Sequence, residues 1–283
     1  MENFELAELM TSNPNGALRD TAQRLLVERT ALDVSDQLRR FASDQKMASR
    51  YRLHAIWTLQ GIDSIDSSII EMLATDPDPL IREHAARVSE SLPPRLRSGP
   101  LSRLAFDKVD RVRLQAVLSI GELPSSEAMP LFDAVLAEQV EDPAIRSAIQ
   151  SGLAGREVAM LRSQGDPRNG GWLGGTGPAQ RQVIRELVEP VLKRRRPDEV
   201  TALLAVAVDQ YAEAPATSLL ILDQVSTKTR PGAKNAKSMM LLGSPAGWDA
   251  VLTADPADCD PRIIETARAV DTTLRWVGRP GTT

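Results

Sequence analysis

An all-α stack of helical hairpins, an α-solenoid, is the fold class that three features of this sequence predict. The first is an Arg that returns about every thirty residues, three positions before a small or apolar residue. The instances are Arg19 with Ala22, Arg52 with Ala55, Arg82 with Ala85, Arg113 with Ala116 and Arg146 with Ile149. The steps between these arginines are 33, 30, 31 and 33 residues, the length of one helical hairpin. The second feature is apolar spacing of three and four behind each Arg (Leu25 and Leu26, Ile56 and Leu59, Val117 and Ile120), the stripe of a helix with one buried face. The third is composition. With 42% hydrophobic but only 4% aromatic residues, the interior must be filled by Ala, Leu, Val and Ile, which suits closely spaced helices better than a sheet sandwich.

The helix carrying each Arg has a readable start. Asp78-Pro79 and Asp142-Pro143 place a capping carboxylate before a proline at the first helical position, where the missing N–H costs nothing. Asn15 and Asp110 stand at similar places ahead of Arg19 and Arg113. Residues 34–42, 65–73, 101–106 and 128–136 then supply antiparallel partner helices. Turn signals separate them at Asn13-Pro14-Asn15-Gly16, Gly61, Asp76-Pro77, Pro93-Pro94, Gly99-Pro100 and Pro124. No period-two alternation or hairpin dipeptide between β-branched runs occurs, so strands are not expected.

The repeat signal fades after about residue 155. A glycine-rich stretch over 165–178, with Trp172 in it, predicts a loop and the main internal boundary. Helical patterns resume over 180–193, 199–208, 216–225, 246–253 and 261–277. Residues 1–164 are thus expected to be regular repeats, and 179–283 irregular repeats with a C-terminal cap in the same solenoid.

The formal net charge of −4 gives no global attraction for nucleic acid, which is not an expected partner. Cys259 is the single cysteine, which excludes an intrachain disulfide, a Cys-rich zinc site and a C-x-x-C-H haem attachment site. The start, Met1-Glu2-Asn3-Phe4-Glu5, has neither the basic nor the apolar region of a signal peptide, and no apolar run reaches membrane-span length. A soluble chain without direct membrane insertion is expected.

An Asp-Pro cap, an apolar residue, then Arg and a small residue three further on resembles the second helix of a HEAT repeat. The segments over 19–29, 53–59 and 76–85 are more closely similar to the HEAT-repeat region of large exported bacterial proteins described as putative membrane-bound dehydrogenases, typical of planctomycete-like bacteria. In that family the repeats lie between a β-propeller of the sugar-dehydrogenase type and a c-type cytochrome. The likeness is strong over about residues 4–90 and weaker beyond. It implies a structural polar ladder in which Asp78 serves Arg82, Asp110 serves Arg113 and Asp142 serves Arg146. It also implies an extracytoplasmic setting. Propeller sequence and haem-attachment motif are both absent from these residues, so only the scaffold role carries over.

Several residues stand out as candidates for contact. His54 and His84, the only histidines, each follow a repeat Arg by two positions and are expected at equivalent places on adjacent helices. Stacked polar residues at a helix interface explain them more simply than a metal site, which needs more ligands. Trp57 falls on an apolar stripe and is expected in the core. Trp172 has little local reason to sit in a glycine loop unless it packs back or meets a partner. In the basic run Lys193-Arg194-Arg195-Arg196, Arg194 and Arg195 either complement a helix C-terminus or contact an acidic partner. Cys259 lies between Asp258 and Asp260, whose charges oppose a thiolate.

No residue set predicts a catalytic role, a cofactor or a metal. The expected function is a non-catalytic scaffold presenting the second helix of each repeat to a protein partner or to a neighbouring domain of a larger redox protein. The alternatives are a HEAT-like enzyme, either a lyase for a chromophore-bearing protein or a DNA glycosylase, and a truncated gene product without an independent role.

Overall fold

The computed structural model describes residues 1–164, 177–229 and 239–277. Among them, sixteen α-helices and one pair of three-residue strands give an all-α, repeat-like arrangement. Trp172 and segment 165–176 lie outside the described residues. The chain divides into two compact units, 1–132 and 133–283. The division falls inside a helix, Ser125–Gln139.

The first unit is four helical hairpins: α1 Asn3–Ser12 with α2 Gly16–Glu28, α3 Ser35–Ser43 with α4 Ser49–Gly61, α5 Ser67–Ala74 with α6 Pro79–Val88, and α7 Pro94–Leu104 with α8 Asp110–Gly121. The first helices pack on one another in one row and the second helices in another. Helix α9, Ser125–Gln139, crosses the division. Ala22, Ala55, Ala85 and Ala116, the small residues three after each Arg, are at most 1% exposed. At these seams a larger side chain would hold the helices apart. Leu26, Leu38, Ile56, Leu59, Ile70, Leu73, Ile81, Leu101, Val117 and Ile120 fill the space between the rows.

The recurring Arg ties each hairpin turn to its own helix. Arg19, Arg82 and Arg113 each donate from Nη1 to the carbonyl six residues earlier: Asn13 at 2.9 Å, Asp76 at 2.7 Å and Asp107 at 2.9 Å. These carbonyls sit where the chain leaves one helix and has not begun the next, so the guanidinium supplies partners that the ladder lacks.

The ladder also passes between hairpins, by a route different from the implied one. Arg82 pairs with Asp107, not Asp78, through Nε–Oδ2 at 2.6 Å and Nη2–Oδ1 at 2.9 Å. Arg52 makes the corresponding two-point pair with Asp76, with both side chains at most 4% exposed. Each aspartate therefore serves two arginines. Its carboxylate takes the Arg of the preceding repeat, and its backbone carbonyl takes the Arg of its own. The same carboxylates brace their turns, Asp76 accepting from the Asp78 N–H and Asp107 from the Val109 N–H, both at 2.9 Å. Arg82 holds the Asp107 carboxyl below its ordinary range, outweighing the effect of burial.

Asp78 instead caps α6, accepting from the Leu80 N–H at 2.8 Å and from the Ser49 hydroxyl. Asp110 does meet Arg113, at 2.8 Å, but its side chain is 88% exposed. Asp142 caps Pro143–Gly152 and has no pair with Arg146, which reaches Glu186 at 3.2 Å and the Val140 carbonyl at 2.8 Å.

Other differences from the sequence expectation have local causes. Gly99-Pro100 reads as a turn yet lies inside α7. The proline removes one helical hydrogen bond, and burial of Leu101 and Leu104 on the next turn offsets the loss. Leu18 precedes a repeat Arg as Ile81 does, but it is 44% exposed where Ile81 is fully buried. Gly61, the last residue of α4, is a true close approach: a Cβ there would lie 2.7 Å from Cγ2 of Val27.

In the second unit, α10 Pro143–Gly152 and α11 Glu157–Gln164 are followed by the longer α12 Pro178–Arg194, α13 Pro197–Gln210 and α14 Pro215–Thr229, then the short α15 Trp248–Leu252 and α16 Pro261–Thr273. A parallel pair, β1 Met239–Leu241 and β2 Leu274–Trp276, contradicts the expectation of no strands. Three residues per strand are too few to show alternation. Trp248 and Trp276, both at most 2% exposed, pack with centroids 5.8 Å apart, and Trp248 Nε1 donates to Asp271 at 2.8 Å.

Two measurements follow. Asp107→Ala leaves Arg82 charged and unpaired where it is 8% exposed, and should cost at least about 3 kcal/mol in chemical denaturation, whereas Asp110→Ala should cost under about 1 kcal/mol. Equal costs would return the ladder to the capping aspartates. Gly61→Ala should destabilise by about 1–3 kcal/mol through the β-branched Val27, and Val27→Ala in the same chain should recover most of that loss.

Candidate interaction surface

The second helices α2, α4, α6 and α8 form a continuous row in the first unit, and the predicted histidines lie along it. His54, on α4, reaches back to α2: its Nε2 accepts from Arg19 Nε at 3.2 Å and its Nδ1 lies 2.7 Å from Gln23 Oε1. This fixes the neutral tautomer with the proton on Nδ1. His84, on α6, also reaches back one helix, its Nδ1 accepting from Trp57 Nε1 at 3.1 Å with the rings edge to face. The two histidines thus occupy equivalent places, and each one's contacts run to the helix before its own.

Trp57 is half-buried, not in the core. Its position on the stripe is as expected, but the indole N–H needs a partner, and the seam between α4 and α6 provides one. Farther along the row, Glu83 of α6 pairs with Arg111 of α8 at 3.0 Å. Near its beginning, the guanidinium groups of Arg19 and Arg50 lie 5.4 and 4.8 Å from the Tyr51 ring centroid. Sequence position alone revealed the histidines. The Arg19 and Trp57 contacts needed the crossing geometry of the helices.

Both imidazoles are held below the ordinary value of 6.5. Burial is the main cause for each, with Arg19 adding at His54, and Arg87 and Arg111 adding at His84 against the opposing charge of Glu83. Both are therefore neutral at pH 7, consistent with their acceptor roles. Among the described residues, no group of three or more His, Cys, Asp or Glu side chains is placed to hold a metal ion.

The exposed charges on this row are of both signs. Asp20, Arg24 and Glu28 stand on α2, Arg50 on α4, Arg87 on α6, and Asp110 and Arg111 on α8, while Glu83 of α6 is half-buried. Leu118, 40% exposed, adds an apolar position on α8.

The basic run of the second unit is largely spent on internal ties. Arg194 makes a two-point pair with Glu157 at 2.8 and 2.7 Å and a third bond to Glu199 at 2.8 Å. Glu157 is 2% exposed, so this cation compensates a buried charge. Lys193 pairs with Glu189, and Arg196 with Asp198 and Glu199. Arg195 takes the left-handed conformation that ends α12, φ 55°. Cys259 is buried, and burial together with Asp260 pushes its thiol up, away from the nucleophilic thiolate.

No protein-family model and no curated protein matches the chain. Among solved structures, the crystal structure of an engineered protein from the Northeast Structural Genomics Consortium is similar at 13% identity and a TM-score of 0.39, over 95% of this chain and 77% of that one. No helix among the described residues is long and apolar enough to cross a membrane.

The histidines give a pH signature. An unfolded histidine binds its proton near 6.5, while the folded ones bind only at lower pH, so protonation favours unfolding. The stability they contribute is complete above 6.5 and is lost as pH falls through their folded values. The lowered carboxyls, such as Asp107, add losses only below about pH 4. Tm should therefore fall between pH 7.5 and 5, and the fall should shrink in a His54→Gln/His84→Asn variant, which keeps an acceptor at each place. An unchanged pH dependence in that variant would remove the histidines as its cause.

Proposed function

We propose that this protein is a non-catalytic helical-repeat scaffold whose second-helix row, α2, α4, α6 and α8, binds a protein partner. The observation that carries this reading is the combination of cross-helix ties with surface charge of both signs. Arg19 to His54, Trp57 to His84 and Glu83 to Arg111 join the four helices into one face, so little ordering cost remains on binding. A polyanion such as DNA favours a row of one sign, and the mixture of Asp20, Glu28 and Asp110 with Arg24, Arg50, Arg87 and Arg111 suits a protein surface of mixed charge. The resemblance to repeats between a propeller and a cytochrome makes a redox protein, or another domain of one, the partner to look for.

Cross-linking in native extract followed by mass spectrometry tests this. One protein partner should be recovered reproducibly, with cross-links on α2 to α8, and Arg24→Glu/Arg87→Glu, at two exposed positions, should weaken its capture at least tenfold while leaving Tm nearly unchanged. Capture indifferent to that charge reversal, or recovery of nucleic acid instead of protein, would refute the proposal.

A further inference from the structure

The second unit contains a groove of about 560 Å³ that the scaffold reading above does not use. Its base is one face of α14, and α12 and α16 flank it. Along α14 the lining positions are 216, 219, 220, 223 and 226, the spacing of a single helical stripe. Ten residues at about 1.5 Å each make the groove about 15 Å long, nearly three helical turns. Leu219 and Leu220 give it an apolar base.

The charge in the groove is net negative once the existing pair is counted. Arg262 folds back on Asp260, with Nη2–Oδ2 at 2.6 Å, which leaves Arg181 as one cation against two carboxylates. Asp223 of α14 and Glu265 of α16 are exposed and form no ion pair among the described residues. An apolar base beneath two exposed carboxylates, in excess over the single remaining cation, complements a ligand that is apolar on one side and cationic beside it. The length and the stripe spacing match a helical segment that anchors at every third or fourth residue.

We propose that this groove docks a basic amphipathic segment of a partner protein, with aliphatic side chains on Leu219 and Leu220 and a Lys or Arg between Asp223 and Glu265. The proposal rests on the scaffold reading but involves a different surface, so the two can fail separately. The probe is a fluorescent 14-residue peptide with Leu at positions 3, 6, 7 and 10 and Lys or Arg elsewhere, titrated against the full chain by anisotropy. A second peptide with Glu in place of every basic residue is the comparison.

Binding of the basic peptide only, weakened at least tenfold by Asp223→Asn/Glu265→Gln and unaffected by the equal charge change Asp209→Asn/Asp258→Asn, supports the groove. Circular dichroism and Tm confirm that both variants fold. No binding, or equal weakening by both double variants, overturns the proposal, because the second result is general attraction to an acidic chain. Either negative result stands whether or not charge reversal on α2 and α6 abolishes partner capture, so it leaves the scaffold reading to its own test.

Discussion

Successive hairpins of the first unit share aspartates. Asp76 receives Arg52 at its carboxylate and Arg82 at its carbonyl, and Asp107 receives Arg82 and Arg113 in the same way. The result is a chain of charge-assisted contacts through which each turn is held by two helices. A buried ion pair alone is weak evidence of stability, since desolvation consumes much of the attraction. Here the same groups also satisfy turn carbonyls and brace Asx turns, so the charges end up with few unmet bonds. They specify how one hairpin sits on the next, and the buried alanines let the helices come close enough for the contacts to form.

That register positions the surface. His54, Trp57, His84 and Glu83 are one to five residues from the ladder arginines on the same helices, so the spacing the ladder sets brings Trp57 to His84 and Arg111 to Glu83. The ladder is buried and the contacts on the row are half-buried. A substitution in either should alter stability, more in the buried ladder than on the row, and the scaffold reading proposed above assigns binding to the exposed charges of the row. The second unit uses a different device for the same purpose: Arg194 gathers Glu157 and Glu199 at the end of α12, and its neighbours Lys193 and Arg196, though exposed, also pair with carboxylates.

Much of the fold was legible because it rests on local signals. The Arg period, the Asp-Pro caps and the three-and-four spacing located most helices and the order of the hairpins. The ladder partners were not legible in the same way. In Asp76-Pro77-Asp78-Pro79 both aspartates have equal claim on an Arg, and only the approach of the preceding hairpin assigns Asp76 to Arg52 and leaves Asp78 as a cap. Pro100 misled because a proline's local preference was outweighed by packing on the following turn. The strands at 239–241 and 274–276 are held by pairing between segments far apart in sequence and carry no local pattern. Of the candidate surface, the histidines were visible from their repeat position, while Trp57 looked like core because a stripe records the face of a helix and not the depth of burial.

The central claim is that Arg52 and Arg82, which contact different atoms of Asp76, act through it as one unit. A double-mutant cycle of Arg52→Met and Arg82→Met, followed by denaturant unfolding of the full chain, tests this most directly. Coupling above about 0.5 kcal/mol is the predicted result, because either substitution loosens the aspartate that the other arginine needs. Additivity within that margin would show that the rungs stand independently and that no ladder links the hairpins.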